Sequence, residues 1–384
     1  MKSFENALVY VDGEGLKKCD ILFDERICEI GEKASSGAEV IALPEDAVVL
    51  PGFIDEHIHG AGGADTMDGT KEALAAMAET LAKEGTTAFL ATTMTQSPET
   101  IQRALAAVRE YEKSPACGAR LLGVHLEGPF IAEAHKGAQP KEYIAKPSIE
   151  AFERYQTESG NQIKIVTLAP EEEGAIELVK YLTAHGVVSS IGHTIAKYED
   201  IEKAVISGAT HVTHTYNAQS PLHHREVGVV GSALLLDELS CELIADGIHV
   251  SVPAMKLLAK SKPKEKLILI TDAIRAKGLG DGVSELGGQK VFVKNGEARL
   301  EDGTLAGSVL CMNRAVQNLV EKVGVPFTQA VDCAAKNPAR DLGLLDEVGS
   351  IRKGKRADFT VLNRRYDVLL TVVNGNIVYR AKSV

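Results

Sequence analysis

The sequence predicts an α/β protein: a (β/α)8 TIM-like barrel with a small β-sandwich domain formed by both chain ends. Three observations predict it. From residue 48 onward, short apolar runs alternate with amphipathic stretches long enough for helices, the βα pattern of a parallel sheet. Eight such runs can be counted, the number that closes a barrel. The two chain ends carry strand-like segments and no long helical pattern.

Taken in order, Ala7 to Val11 and Asp20 to Ile30 are rich in β-branched and apolar residues and are interrupted by Asp12-Gly13 and Gly31, which predicts short strands and turns over residues 1–50. The barrel is expected over 51–345. Its eight predicted strands are Val48 to Glu56, Thr86 to Thr93, Arg120 to Glu127, Ile163 to Ala169, Val187 to Gly192, Thr210 to Thr215, Cys241 to Ala245 and Lys266 to Thr271. Between them, Lys71 to Lys83, Pro98 to Lys113, Gly174 to His185 and Lys197 to Ser207 are dominated by alanine, leucine and charged residues and predict helices. Residues 286–303 predict an inserted hairpin, because Gln289 to Val293 alternates and Asn295-Gly296 is a strong two-residue turn signal. Helices are expected at 309–323 and 327–342. Strand character then returns in Phe359 to Leu362, Val368 to Val373 and Ile377 to Arg380, so residues 346–384 are expected to complete the small β-domain.

Composition narrows the function classes. The 384 residues are 45% hydrophobic, enough for a large core. Against 53 acidic residues stand 42 basic ones, a net charge of −11 that argues against nucleic acid or an anionic membrane as partner and requires a local basic pocket for any anionic substrate. Met1 to Tyr10 lacks the apolar middle of a secretory signal, and no run reaches membrane-spanning length. The six cysteines are scattered without a CxxC pair, which suggests free thiols and a cytoplasmic protein.

The chemistry lies at the strand ends. His57 and His59, separated by one residue, project to the same side of an extended chain and could reach one ion. Glu127, His193, His214 and Asp272 close predicted strands three, five, six and eight, where barrel enzymes carry their functional groups. Singly, Glu127 reads more simply as a capping or surface carboxylate and His193 as a core histidine, while the alternative for Asp272 is a turn cap. Together, imidazoles and a carboxylate suit zinc or ferrous iron with a position left open for water, and the same donors admit manganese or cobalt. Such an ion lowers the pKa of its water from about 15.7 to about 7 and makes hydroxide available. Asp272, after the apolar run Leu267 to Ile270, is the expected base and acid.

With these residues in view, the chain resembles the amidohydrolase superfamily and, within it, the family of N-acetylglucosamine-6-phosphate deacetylases. The resemblance covers nearly the whole chain. It rests on Pro51 to Gly60, on His125-Leu126-Glu127-Gly128-Pro129-Phe130, on Lys136 to Gln139 and on Gly192-His193-Thr194. It continues through His211 to Ala218, Ala245 to His249, Thr271-Asp272-Ala273 and Leu305 to Ser308.

The resemblance implies hydrolysis of the 2-acetamido group of a sugar phosphate, with Glu127, His193 and His214 on the principal metal. His57 and His59 match the extra pair of members that hold two ions, so one or two ions per subunit are expected. The family pattern further assigns Asp272 as general base and acid and His249 to the scissile carbonyl. Asn217, Ala218 and Ala138 match sugar contacts, and Leu305, Ala306 and Gly307 a closing loop. Arg225 matches a phosphate-binding arginine supplied across a homodimer, a role that its planar guanidinium fork suits. His223 and His224 stand beside it, and His135 lies where relatives vary; the roles of these three are open. His125, His185 and His211 are expected to be structural.

Two rivals share parts of this pattern. A cyclic amidase or a base deaminase would also use His57 and His59, but cyclic amidases bridge their ions with a modified lysine where Glu127 stands here. A barrel that has lost catalysis and serves in binding or assembly would be expected to lack some of these ligands.

Overall fold

A computed structural model describes residues 1–31 and 37–382. Its centre is a sheet of eight parallel strands: β1 (Phe53–Ile58), β2 (Thr86–Thr92), β3 (Arg120–Glu127), β4 (Ile163–Leu168), β5 (Val188–Ile191), β6 (His211–Val212), β7 (Ser240–Ile244) and β8 (Leu267–Ile270). Each pairs with the next in sequence, the order of a barrel. β2 and β8 are buried on both faces, which is why a run such as Leu267–Ile270 reads as continuously apolar without alternation. Helices at Lys71–Ala82, Pro98–Glu112 and Ile149–Glu158 begin behind side-chain caps from Thr70, Ser97 and Ser148.

The seam between β8 and β1 carries no ladder and is closed by other bonds. Asp272 N donates to His57 O at 2.8 Å, and His59 N and Gly60 N both donate to Ala273 O at 2.9 Å. Deeper in the seam, Asp55 accepts from Thr271 N at 3.2 Å and from the Thr271 hydroxyl at 2.5 Å. The structure therefore forms a nearly closed barrel with its first and last strand ends, and the residues they carry, tied directly together.

The segment expected as one strand from Val48 to Glu56 is two. Val48–Pro51 belongs to the sheet of the chain ends, parallel to Lys2–Val11 and antiparallel to Phe359–Leu362, whereas Phe53–Ile58 enters the barrel. Pro51 lacks an N–H to continue a ladder. At Gly52 the backbone passes so close to Thr87 that a Cβ would lie 2.1 Å from its hydroxyl oxygen, so only glycine fits the crossing. Around Val48–Pro51 the strands of both chain ends form one mixed sheet, and Phe4, Phe23 and Phe359 pack ring to ring in a core of their own.

The insertion is a three-stranded meander, Gly282–Leu286, Gln289–Lys294 and Glu297–Arg299, rather than a simple hairpin. Asn295 and Gly296 make its second turn with φ of 52° and 81°, the paired positive values that a two-residue turn of this kind needs. The expected helix at 327–342 breaks at Ala335 (φ −132°, ψ −62°) into Phe327–Ala334 and Lys336–Asp341. Pro338 explains the break, because its ring would clash with the carbonyl one turn earlier. The expected helix at 309–323 begins at Met312 and ends in a wider π turn, Leu319–Val323. Among the described residues, no helix is long and apolar enough to cross a membrane.

Candidate active site

All six chemistry-bearing side chains meet at the carboxyl ends of the barrel strands. His57 lies in β1 with His59 just beyond, Glu127 ends β3, and His193, His214 and Asp272 each follow the ends of β5, β6 and β8 by two residues. The last three adopt left-handed backbone conformations, with φ of 49°, 29° and 46°. A non-glycine residue held in this region costs on the order of 1–3 kcal/mol and persists only where its surroundings fix it. Here the turn swings each side chain from the strand into the barrel mouth.

Glu127 Oε1 lies 3.1 Å from both His193 Nε2 and His214 Nε2, and those two nitrogens are 3.0 Å apart. His193 Nδ1 donates to the carbonyl of His135 at 2.9 Å, so in the neutral ring Nε2 is a bare lone pair facing Glu127. Alongside, His59 Nε2 is 3.2 Å from Asp272 Oδ1 and 3.3 Å from Glu127 Oε2. His57 Nδ1 donates to Glu242 Oε2 at 2.8 Å, and His57 Nε2, fully buried, has no hydrogen-bond partner. Burial opposes charge on His57, but Glu242, Asp272 and Glu127 outweigh it and push its pKa up to about 9. That negative potential favours a cation at the same place.

Two adjacent donor sets stand at the barrel mouth, Glu127 with His193 and His214, and Asp272 with His57 and His59, the donor atoms of each lying within 4.8 Å of one another. Buried imidazole and carboxylate donors with lone pairs turned inward fit a divalent metal.

Above these donors opens a cleft of about 310 Å³. Ala138, Asn217, Ala218, His249, Leu305 and Gly307 line it together with His59, Glu127, His193, His214 and Asp272. Gly307 has φ of 60°, and a Cβ there would meet the Asp272 carbonyl at 2.9 Å, so the loop can lie this close to the carboxylate only as glycine. His249 Nδ1 donates to Asp246 Oδ2 at 2.6 Å, which leaves Nε2 for the cleft. His135 also lines the cleft.

Two expected substrate contacts do not reach it. Ala306 is fully buried against the meander, its N–H on the Ala298 carbonyl. Arg225 sits on an exposed loop, where its Nη1 lies 2.8 Å from His224 Nε2, and neither they nor His223 line the cleft of their own chain. His125 is buried between the Glu56 carbonyl and Thr167 Oγ1, and His211 is buried on Asp341, while His185 is exposed and bonded to the Tyr181 carbonyl.

Sequence reasoning assigned no role to three supporting side chains, although Gln139 and Asp246 lie within its motifs. Gln139 Nε2 donates to Glu127 Oε2 at 2.7 Å, Asp246 holds His249, and Glu242 holds His57. Only Asp246 had a local signal, an aspartate three residues before a histidine, whose Oδ1 accepts from the backbone of Ile248 and His249.

Comparison with known proteins bears on what this site is. The model of the amidohydrolase family matches residues 48–378. The chain belongs to that family. Within it, an N-acetylglucosamine-6-phosphate deacetylase of Bacillus subtilis (strain 168) is 48% identical over 345 residues, covering 89% of this chain and 87% of the relative. The crystal structure of the Thermotoga maritima N-acetylglucosamine-6-phosphate deacetylase superposes with a TM-score of 0.89 at 38% identity, over 99% of this chain and 100% of that one. A mutant of the Mycobacterium smegmatis deacetylase, in complex with N-acetyl-D-glucosamine-6-phosphate, gives a TM-score of 0.91 at 30% identity, over 98% of this chain and 99% of that one. The chain is thus an amidohydrolase of the N-acetylglucosamine-6-phosphate deacetylase branch.

Proposed function

We propose that this chain hydrolyses the acetamide of N-acetylglucosamine-6-phosphate to glucosamine-6-phosphate and acetate. The observation that carries the reading is Asp272, whose carboxylate lies 3.2 Å from His59 Nε2 and 3.5 Å from His57 Nε2 and lines the cleft beside Glu127, His193 and His214.

Glu127, His193 and His214 would hold one divalent ion, zinc or iron before manganese or cobalt, with His57 and His59 at a second position. When bound, the metal supplies Lewis acidity and water activated at neutral pH. Asp272 accepts the proton of that water and later delivers it to the departing amine, so one carboxylate serves as base and then as acid. His249 faces the acetamide carbonyl and steadies the charge that develops on its oxygen, held in orientation by Asp246. Asn217, Ala218 and Ala138 contact the sugar, and Leu305 and Gly307 cover it. The nucleophile is water, so no acyl-enzyme forms.

Arg225 supplies the phosphate site from a second copy in a homodimer. Its exposed position outside its own cleft suits a role across an interface. We further divide the chain into a catalytic barrel over 51–345 and a small domain from 1–50 and 346–384, and place it in the cytoplasm, which six free cysteines suit.

The test is acetate release from N-acetylglucosamine-6-phosphate, from its galactosamine epimer and from unphosphorylated N-acetylglucosamine. The reading expects the first to be turned over fastest. Equal rates with and without phosphate would remove Arg225 from its role, and ammonia or a ring-opened acid as product would point to the deaminase or cyclic amidase reading.

A further inference from the structure

Glu242 is a fully buried carboxylate in β7 between Cys241, Leu243 and Ile244, each of which is itself fully buried. A charge in such a strand is costly unless every neighbour compensates it. Its Oε2 accepts from His57 Nδ1 at 2.8 Å and from the backbone N–H of His214 at 2.7 Å, so it touches a member of each donor set. Its Oε1 faces His211 Nε2 at 3.3 Å, and His211 Nδ1 donates to Asp341 Oδ2 at 2.8 Å. A line of side chains thus runs from the barrel mouth to the last residue of the helix Lys336–Asp341.

The two contacts of Oε2 are unequal. For His214 it fixes only the amide at the left-handed turn. For His57 it fixes the ring: the proton is held on Nδ1, and the lone pair of Nε2 is turned toward Asp272 and Glu127, each 3.5 Å away. A carboxylate behind a ligating imidazole sets its tautomer and raises its basicity, and losing one typically weakens a metal about 10- to 100-fold.

We propose that Glu242, backed by His211 and Asp341, is the positioning residue that decides whether the His57–His59 position holds an ion. This rests on the metal-site reading above and concerns which ion is lost first. Glu242 does not line the cleft and has no contact with substrate there.

The test is a cobalt(II) titration of the metal-stripped full-length protein without substrate, followed by visible absorption and by ion counting after dialysis. Because no sugar is present, its outcome is independent of whether acetate is released. The wild type is expected to take up two ions. Glu242→Gln is expected to keep the tighter one and lose about 10- to 100-fold in affinity for the other. Asp341→Asn, which alters only the far end of the line, is expected to weaken the same ion by a smaller factor, and it decides the matter should Glu242→Gln fail to fold. A carboxylate that merely stabilised the fold would lower the urea midpoint and leave both affinities at their wild-type values. That result overturns the proposal, as does a wild type that binds a single ion.

Discussion

Gln139 Nε2 donates to Glu127 Oε2 at 2.7 Å while Gln139 Oε1 accepts from Thr95 N at 2.6 Å, so the glutamate that joins the two donor sets is anchored to the loop that follows β2 by one amide. The anchor occupies Oε2 and leaves Oε1 for His193 and His214. Gln139→Ala is therefore expected to leave the fold intact and weaken metal retention about 10- to 100-fold, the usual cost of an outer partner. Competition with a chelator of known affinity measures it; retention equal to wild type would mean that Glu127 needs no anchor.

Asp272→Asn tests the proton step. The amide keeps the shape but cannot accept a proton, so turnover is expected to fall about 10²- to 10⁴-fold. Glu127, His193 and His214 do not depend on Asp272 for their mutual distances, so ion counting should still find metal in the variant. Undiminished hydrolysis in this variant would sink the assigned role.

His249 and Asp246 separate orientation from charge. Removing a group that stabilises developing oxyanion charge costs about 10²–10³ in kcat, the range expected for His249→Ala. Asp246→Asn, which leaves the ring in place but exchanges its carboxylate partner for an amide, is expected to lower kcat by less and leave KM nearly unchanged. A rise in KM alone would assign the pair to binding instead.

These three tests differ in how far the sequence could have proposed them. Asp272 was legible because it ends an apolar strand, and strand ends in a barrel converge whatever lies between them. Asp246 was legible in principle through its local turn. Gln139 was not, since a neutral amide on a loop has no spacing signal and meets Glu127 only through tertiary structure. Glu242 stood in view as a lone carboxylate between apolar residues, yet its partners His57 and His211 come from β1 and β6. The barrel strands were read from their apolar runs, but Val48–Pro51 was merged with β1 because Phe53 and Ile54 continue its apolar run, and the switch between sheets at Pro51 and Gly52 depends on the close approach of Gly52 to Thr87.

Metal removal should cost stability as well as activity. An ion bound only by the folded chain stabilises it by RT ln(1 + [M]/Kd), about 2.7 kcal/mol when free metal is 100 times Kd. The melting temperature is then expected to rise with the logarithm of added zinc or iron after chelation and to return to its starting value when chelator is restored. A melting curve indifferent to metal would mean that the donors of Glu127, His193 and His214 hold none.

The ion pair of Lys277 and Glu84 predicts a stability effect in alkali. Lys277 is 1% exposed and Glu84 5%, with 2.6 Å between Nζ and Oε1. Burial pulls the Lys277 ammonium down, but Glu84, together with the nearby Cys311 and Asp55, more than offsets this, and the pKa lies above its ordinary value. The folded state therefore holds a proton that the unfolded state releases near pH 10.4, roughly the ordinary value for lysine. Stability from this group is fully present below that pH and falls as pH rises toward the higher folded value. Breaking a buried pair from one side costs on the order of 3–5 kcal/mol, so Glu84→Gln should lower the urea midpoint at pH 8 and flatten the decline between pH 10 and 12. Urea titrations of both proteins across that range measure the slope, and an unchanged alkaline decline in the variant would assign it to groups other than Lys277.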